Sequence, residues 1–427
     1  MHHFFPAFLS WLKAVDEPRN KKSIIYTPET LLWTGVLMFI LKLGARRQIN
    51  FNFQTPTFIK NLTLFSKQNL KRIPDDDTLA YYYSRLNPSE FDDLRRLMIN
   101  ELVRKKCLVK ERLLGYYLLA IDGTGHLVYN RRHCPYCLTK KKRGKVFYYY
   151  HQVVEAKLVT ANGFALSMAT EFVENRKPDQ KKQDCELKAF YRLVVRLKRR
   201  YPQFRICLLL DALYANEQVI KICEKNHWRY LITFKEGSLP ETYAEYEALK
   251  KISKGNAAPY SHHGVKQFYY WVNDLNYKFK DKYSVNVLEC RERNEKEQGK
   301  RWTRYLWLTN FRISYENFHY LANQGGRLRW KEENEGFNSQ KNGGYNLEHT
   351  YCYDSVAMKN FYLLLQIAHF ISQLMEKGSL LRALKKSLGS IRNIARRLLE
   401  ELRCFIFTPE EATQAIAKRF QIRFDTS

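Results

Sequence analysis

Two short apolar runs in this chain each end in an aspartate, and they constrain the fold more than any other feature. Tyr116–Asp122 reads YYLLAID, and Arg205–Asp211 reads RICLLLD. A run of this length, apolar without alternation, has the pattern of a buried strand. Buried strands separated by helical periodicity predict an α/β fold. In open α/β sheets functional groups gather at the carboxyl ends of the strands, which is where these two aspartates would stand. Strand-terminal aspartates also serve as ordinary turn and cap residues, so either one alone is ambiguous.

The neighbouring pattern extends the sheet. Tyr148–Leu158 and Phe164–Phe172 read as strands joined by the turn Thr160-Ala161-Asn162-Gly163, a hairpin. Gln183–Arg200 repeats apolar residues at helical spacing, Asn216–Asn226 forms a second, shorter helix, and Tyr230–Phe234 a further strand. Three strands, helix, strand, helix, strand is the order of a ribonuclease-H-like mixed sheet flanked by helices. Residues 113–234 would be the first part of that core. Residues 1–112 read as a helical N-terminal segment (Leu31–Leu43, Phe58–Phe65, Phe91–Leu108), with Ser89 and Asp92 resembling an N-terminal cap. Its lysines and arginines leave two readings open, a module binding DNA ends or a structural cap. Residues 235–315 predict a β-rich insertion through Gln267–Val272, Tyr283–Glu289 and Arg304–Thr309. Helical periodicity returns in 316–378, and 379–427 form a basic tail whose amphipathic helix would either pack on the body or clamp DNA.

Charge bears on partners. The 427 residues carry 72 Lys and Arg against 43 Asp and Glu, a formal charge of +29. Such an excess points to a polyanion, most commonly nucleic acid. The basic residues are spread along the chain and not gathered beside an apolar anchor, which argues against a membrane surface. The longest apolar stretch, Leu31–Leu43, is interrupted by Lys42 and is too short to span a bilayer. The first residues lack the features of a secretory signal. Nine scattered cysteines, an odd number, fit a reducing cytoplasm better than a disulfide framework.

A third acidic group lies in Arg329–His349, RWKEENEGFNSQKNGGYNLEH. Glu333 stands four residues after Arg329 and four before Phe337, so the three would share one helix face, with Trp330 and Phe337 packed beneath. Glu332 and Glu335 compete for its role. Gly123 and Thr124 would let the backbone turn tightly after Asp122. Carboxylates on two strand ends and a helix suit a site for two hard dications, Mg²⁺ or Mn²⁺. Cys134-Pro-Tyr-Cys137, flanked by His133, resembles half a zinc site, with Cys185, His126 or His151 available to complete it. The adjacent KKKRGK, Lys140–Lys145, is a basic patch. Asp184 and Glu186 near a helix start, and Glu171 and Glu174 in EFVEN, are candidate extra metal or water ligands, with surface carboxylates at a helix start the commoner reading.

Together these motifs resemble the DDE transposases of bacterial insertion sequences, in the branch with a β-rich insertion. The resemblance covers Gly115–Met375, and Asp16-Glu-Pro-Arg19 is similar to the leader of relatives. DGT at Asp122, DALYAN at Asp211 and RW-x-x-E-N-E-G-F-N at Arg329–Asn338 match the three acidic blocks in order, with Glu333 at the catalytic position. The family's Tyr and Lys signature positions fall on Gly326 and Gln340, with Lys341 one residue late. The resemblance implies metal-dependent cleavage at an element's ends and transfer of the 3′-OH to target DNA. Asp122, Asp211 and Glu333 would hold two Mg²⁺ or Mn²⁺ ions, and Arg329, Lys341 and Arg327 would contact DNA. It also implies a homodimer on DNA bearing terminal inverted repeats, in a bacterial cytoplasm near the nucleoid. A structure-specific nuclease and an inactive DNA-binding derivative are the alternatives on the same fold.

Overall fold

In the computed structural model the apolar runs join one mixed, ten-stranded sheet with helices packed on it. Residues 4–176, 182–253, 255–262, 264–277, 283–294, 302–377, 387 and 389–417 are described. The strands are β1 (Tyr117–Tyr129), β2 (Leu138–Lys142), β3 (Lys145–Val159), β4 (Ala165–Val173), β5 (Ile206–Leu210), β6 (Arg229–Thr233), β7 (Ala257–His262), β8 (Val265–Tyr277), β9 (Tyr283–Asn294) and β10 (Thr303–Thr309). They are ordered β2-β3-β1-β5-β6-β10-β9-β8-β7, with β4 paired to β3 as well. β1, β5 and β6 run parallel to one another, and the remaining pairs are antiparallel.

The absence of alternation in the two aspartate-ending runs has a direct cause, because β1 and β5 are buried on both faces. Leu119, Ile121, Ile206, Leu208 and Leu210 enter one core, while Leu118, Ala120, Cys207 and Leu209 enter the other. β1 does not stop at Asp122. The long partner β3 keeps pairing with it from Leu119↔Leu158 through Asp122↔Glu155 to Tyr129↔Tyr149, with one irregularity between Gly125 and Leu127. The tight turn expected at Gly123-Thr124 is therefore absent. The strands expected at Gln267–Val272, Tyr283–Glu289 and Arg304–Thr309 lie within β8, β9 and β10, which widen the same sheet beyond β6. Elements not anticipated include β2, β7 and the helix Pro240–Ile252, whose only buried residues are Thr242 and Tyr246.

The N-terminal helices Pro28–Ile40, Asp76–Tyr83 and Ser89–Arg104 pack on the long helix Ser355–Lys377, and the last of them also reaches β4. Their apolar residues belong to the same core as the sheet, so this segment is built into the body. Ser355–Lys377 is buried nearly all round, and its buried amides donate within the fold: Asn360 to the Tyr83 and Leu86 carbonyls, and Gln373 to that of Ala165. The Ser89–Asp92 cap is not formed. Pro88 takes the cap position without a side-chain bond, and Asp92 is drawn inward to Arg95, Arg196 and Arg200. Fully buried Arg95 also donates to Ser167 and Thr170 and pairs with Glu155.

In the basic tail, helix Ile391–Cys404 lies against helix Pro56–Ser66 and buries Ile394, Ala395 and Leu402. Asn61 holds it there by donating to the carbonyls of Leu402 and Phe405. This is the packed arrangement. The parts of the tail expectation falling on 379–386, 388 and 418–427 lie outside the described residues. Among the described residues no helix is long and apolar enough to cross a membrane.

Candidate active site

Parallel pairing brings the two aspartates together. The β1–β5 register ends at Ala120↔Leu209, and two residues further the same register sets Asp122 beside Asp211. Adjacent strands lie about 4.8 Å apart, so the carboxylates are neighbours. Asp211 remains extended and caps the turn that follows by accepting from the Leu213 N–H at 2.9 Å. Asp122 accepts from the Gly123 N–H at 2.8 Å and pairs with Arg329 at 3.3 Å. Burial pushes the Asp122 carboxyl above its ordinary value; Arg329 and the Gly123 N–H oppose this, and Asp211 and Glu333 add to it.

Glu333 completes the group. An open cleft of about 500 Å³ is lined by Asp122, Gly123, Thr124, Asp211, Arg329, Glu333, Asn334, Phe337, Asn338 and Lys341. The segment carrying the glutamate is a π-helix over Glu332–Asn338, continued by an α-turn at Ser339–Asn342. In an α-helix each step of four residues overshoots a full turn by about 40°, so Lys341 would stand about 120° from Arg329. A π-turn, bonded i to i+5, takes in more residues and removes most of that drift. Arg329, Glu333, Phe337 and Lys341 consequently form one stripe along the cleft. Trp330 does not pack as expected; it is 53% exposed.

The competing glutamates have other partners. Glu332 is fully buried beside Lys157 at 3.8 Å, where burial raises its carboxyl well above the ordinary range. Lys157 in turn lies 3.9 Å from the centre of the Phe337 ring. Glu335 pairs with Lys377 at 2.8 Å and Lys331 at 3.6 Å. Burial alone would raise the Glu335 carboxyl, but these two ammonium groups bring it below its usual value.

The two signature departures also have physical reasons. A Cβ on Gly326 would lie 2.3 Å from the Trp307 indole nitrogen, so no larger residue fits there without displacing the ring. Gln340 is buried and bonded to Gln366 and His369, leaving Lys341 to face the cleft, where it pairs with Glu348 at 2.9 Å. Arg327 is not a cleft residue. It pairs with Glu292 and lies over the Tyr305 ring.

A fourth carboxylate, Glu186, stands at the rim of this group. It accepts from Gln152 and Tyr214, each at 2.9 Å, and a Cβ on Gly123 would lie 2.3 Å from its Oε2. Gly123 is thus required for close approach. Burial raises the Glu186 carboxyl, with Asp122 and Asp211 adding to the effect and Tyr214 opposing it. Its helix-start position was visible in sequence, but its proximity to Asp122 depends on the side chain that Gly123 lacks. The other carboxylates noted beside it are saturated elsewhere: Glu171 by Arg176, Arg192 and Arg196, Asp184 by Arg192, and Glu174 by Lys359. Cys134 and Cys137 are outside the cleft and lie together with His133 and His151; His126 and Cys185 do not join that cluster.

Three carboxylates facing one guanidinium leave the cleft with excess negative charge in its floor, while Lys341 and Arg329 hold positive charge along one wall. Such a site can take a cation between the carboxylates and an anion against the basic stripe. Comparison with protein-family models finds none that matches the chain, and comparison with curated proteins finds no similar sequence.

Proposed function

We propose that this chain is a DNA transposase of the DDE type, cleaving the ends of an insertion sequence and transferring the exposed 3′-OH to target DNA. The observation that carries the reading is the convergence of Asp122, Asp211 and Glu333 on one open cleft with Arg329 and Lys341 beside them. The strand and helix sequence from β1 through β6 supports a ribonuclease-H-like core, with β7–β10 as its insertion. The formal charge of +29 supports a polyanionic substrate.

The donor set fits a hard dication: three carboxylates meet, and the mutual repulsion that helps raise the Asp122 carboxyl is what a cation would relieve. Asp122, Asp211 and Glu333 would hold Mg²⁺, which would supply charge neutralisation at the scissile phosphate and acidify the attacking hydroxyl. The chain's own groups bind and orient. Arg329 is fixed against Asp122 and directs its remaining N–H groups at a phosphate, for which a planar guanidinium is suited. Lys341, further along the same stripe, neutralises the next stretch of backbone. Glu186 holds Gln152 and Tyr214 in place beside the group. Two element ends must be joined in one event, so the working form on DNA is a dimer.

The test is a cleavage and joining assay with Mg²⁺ on a duplex carrying the terminal repeats that flank the gene. Nicked ends and joined products that vanish in Asp211→Asn support the reading. Nicking without any joined product would make the protein a nuclease, and binding without either would make it an inactive derivative.

A further inference from the structure

We propose that His133, Cys134, Cys137 and His151 form a closed, structural zinc site that anchors the basic β2–β3 hairpin. The site is separate from the acidic cleft and independent of the transposase reading.

Four ligand atoms, one from each residue, lie within 4.8 Å of one another. The Cys134 and Cys137 sulfurs are 3.3 Å apart, and His151 Nε2 is 3.5 Å from the first and 3.4 Å from the second. A tetrahedral zinc with bonds of about 2.3 Å to sulfur and 2.0–2.1 Å to nitrogen sets its ligand atoms about 3.4–3.8 Å apart, close to this spacing. The two sulfurs are much too far apart for a disulfide, whose bond is about 2.05 Å. Both ring nitrogens of His133 are buried and have no hydrogen-bond partner among the described residues. Leaving them so is costly, and ligation would satisfy one of them. Two thiols and two imidazoles are a soft, borderline set that prefers zinc to the hard dications suited to the carboxylate cleft. With four protein ligands no position is left open for a substrate, which marks the site as structural.

The chain around the cluster is arranged to present it. Arg132 folds the loop after β1 by donating to the Cys134 and Pro135 carbonyls at 3.3 and 3.0 Å. Asn175 donates to the Cys137 carbonyl at 3.2 Å, holding the start of β2 from the other side. His151 comes from β3, where it pairs with Leu127 of β1. Zinc would therefore tie the β1–β2 loop to β3 immediately below exposed Lys140, Lys141, Lys142, Arg143 and Lys145. On the other side of His151, Gln152 donates to Glu186 behind the cleft, so one strand connects the two sites.

The full chain, purified under reducing conditions, should hold on the order of one zinc per chain by elemental analysis. Exchange for Co²⁺ should give the intense d–d and thiolate-to-cobalt bands of a tetrahedral site with two sulfurs. Cys137→Ser and His151→Ala should lose at least about nine-tenths of the bound metal, and Cys185→Ser should keep it. If the first two variants fail to fold, the cobalt spectrum of the wild-type chain still reads the ligand set. Chelation should speed proteolysis within 139–147 several-fold, the readout of anchoring. Less than about a tenth of an equivalent of zinc with no cobalt–thiolate band would overturn the site. Full metal with unchanged proteolysis would overturn the anchoring. Asp122→Asn should hold as much zinc as the wild type, so failure of the cleft reading leaves this result untouched.

Discussion

The two aspartates and the glutamate reach one cleft by different physical routes. Asp122 and Asp211 are set by parallel strand register, in which hydrogen bonds between neighbouring strands fix the pair and burial on both faces fixes the strands. Glu333 is set by a π-helix, whose phase follows from no simple repeat and is held by what lies under it. Beneath that helix are a buried Lys157–Glu332 pair and Phe337 against the Lys157 ammonium, and in the turn that leads into it Gly326 is pressed on Trp307. The regular route gives a placement that tolerates local change. The irregular one makes the position of Glu333 depend on side chains that never touch the cleft.

The largest expected effect tests whether the helix delivers only one glutamate. Glu333→Gln should lower Mg²⁺-dependent nicking by on the order of 10³-fold, the equivalent of several kcal/mol of lost metal-assisted stabilisation, without unfolding the protein. Glu335→Gln should stay within about threefold of wild type, a change of under 1 kcal/mol, because Glu335 is engaged with Lys377 and Lys331. An inactive Glu335→Gln beside an active Glu333→Gln would mean that the π-turn presents the other carboxylate. Next comes the packing of the turn that leads into the helix. Gly326→Ala places a methyl 2.3 Å from the Trp307 nitrogen, and overpacking of this kind costs about 1–3 kcal/mol in denaturant unfolding. An unchanged midpoint would show that the Gly326–Arg329 turn before the helix is not seated on Trp307. A smaller effect concerns the stripe. Lys341→Ala should weaken DNA binding about threefold to tenfold and reduce the slope of log affinity against log salt by about 0.9, the share of one phosphate contact. Equal slopes for the variant and wild type would remove Lys341 from the DNA path.

The same contrast separates what sequence made visible. The runs YYLLAID and RICLLLD identified β1 and β5, because burial on both faces leaves a continuous apolar trace. The end of β1 was invisible, since it depends on β3 continuing to pair beyond Asp122. Glu333 was selectable by its spacing from Arg329, whereas the fates of Trp330, Gln340 and Lys341 depend on a π-turn that an α-helical wheel cannot represent. The helix Pro240–Ile252 escaped notice because it buries so little. Arg95, Glu155 and Lys157 are fully buried charges whose partners come from distant segments, and nothing in their immediate neighbours announces them. Cys134 and Cys137 were legible as a pair, while the choice of His133 and His151 over Cys185 and His126 needed the fold.

The smallest effect asks whether the regular route stores charge tension. In the folded chain the Asp122 carboxyl lies above its ordinary value of 3.8, chiefly through burial, with Asp211 and Glu333 adding to the shift against Arg329. A carboxyl raised in this way contributes its full stability below the unfolded value and loses it as pH rises through the folded value, because the folded chain holds the proton more tightly. At pH 7, without metal, the ionised Asp122 therefore weakens the fold. Asp122→Asn, neutral at every pH, should raise the Tm of the metal-free chain at pH 7 by about 1–2 °C, a modest shift because a large chain spreads any gain over a large unfolding entropy. Near pH 3 the gain should vanish, since Asp122 is then protonated in both states. Saturating Mg²⁺ should reverse the order, stabilising the wild type and leaving the variant behind. A lower Tm for the metal-free variant at pH 7 would mean that the Arg329 pair outweighs burial. The aspartates would then rest in the sheet as a satisfied ion pair, without tension for a cation to relieve.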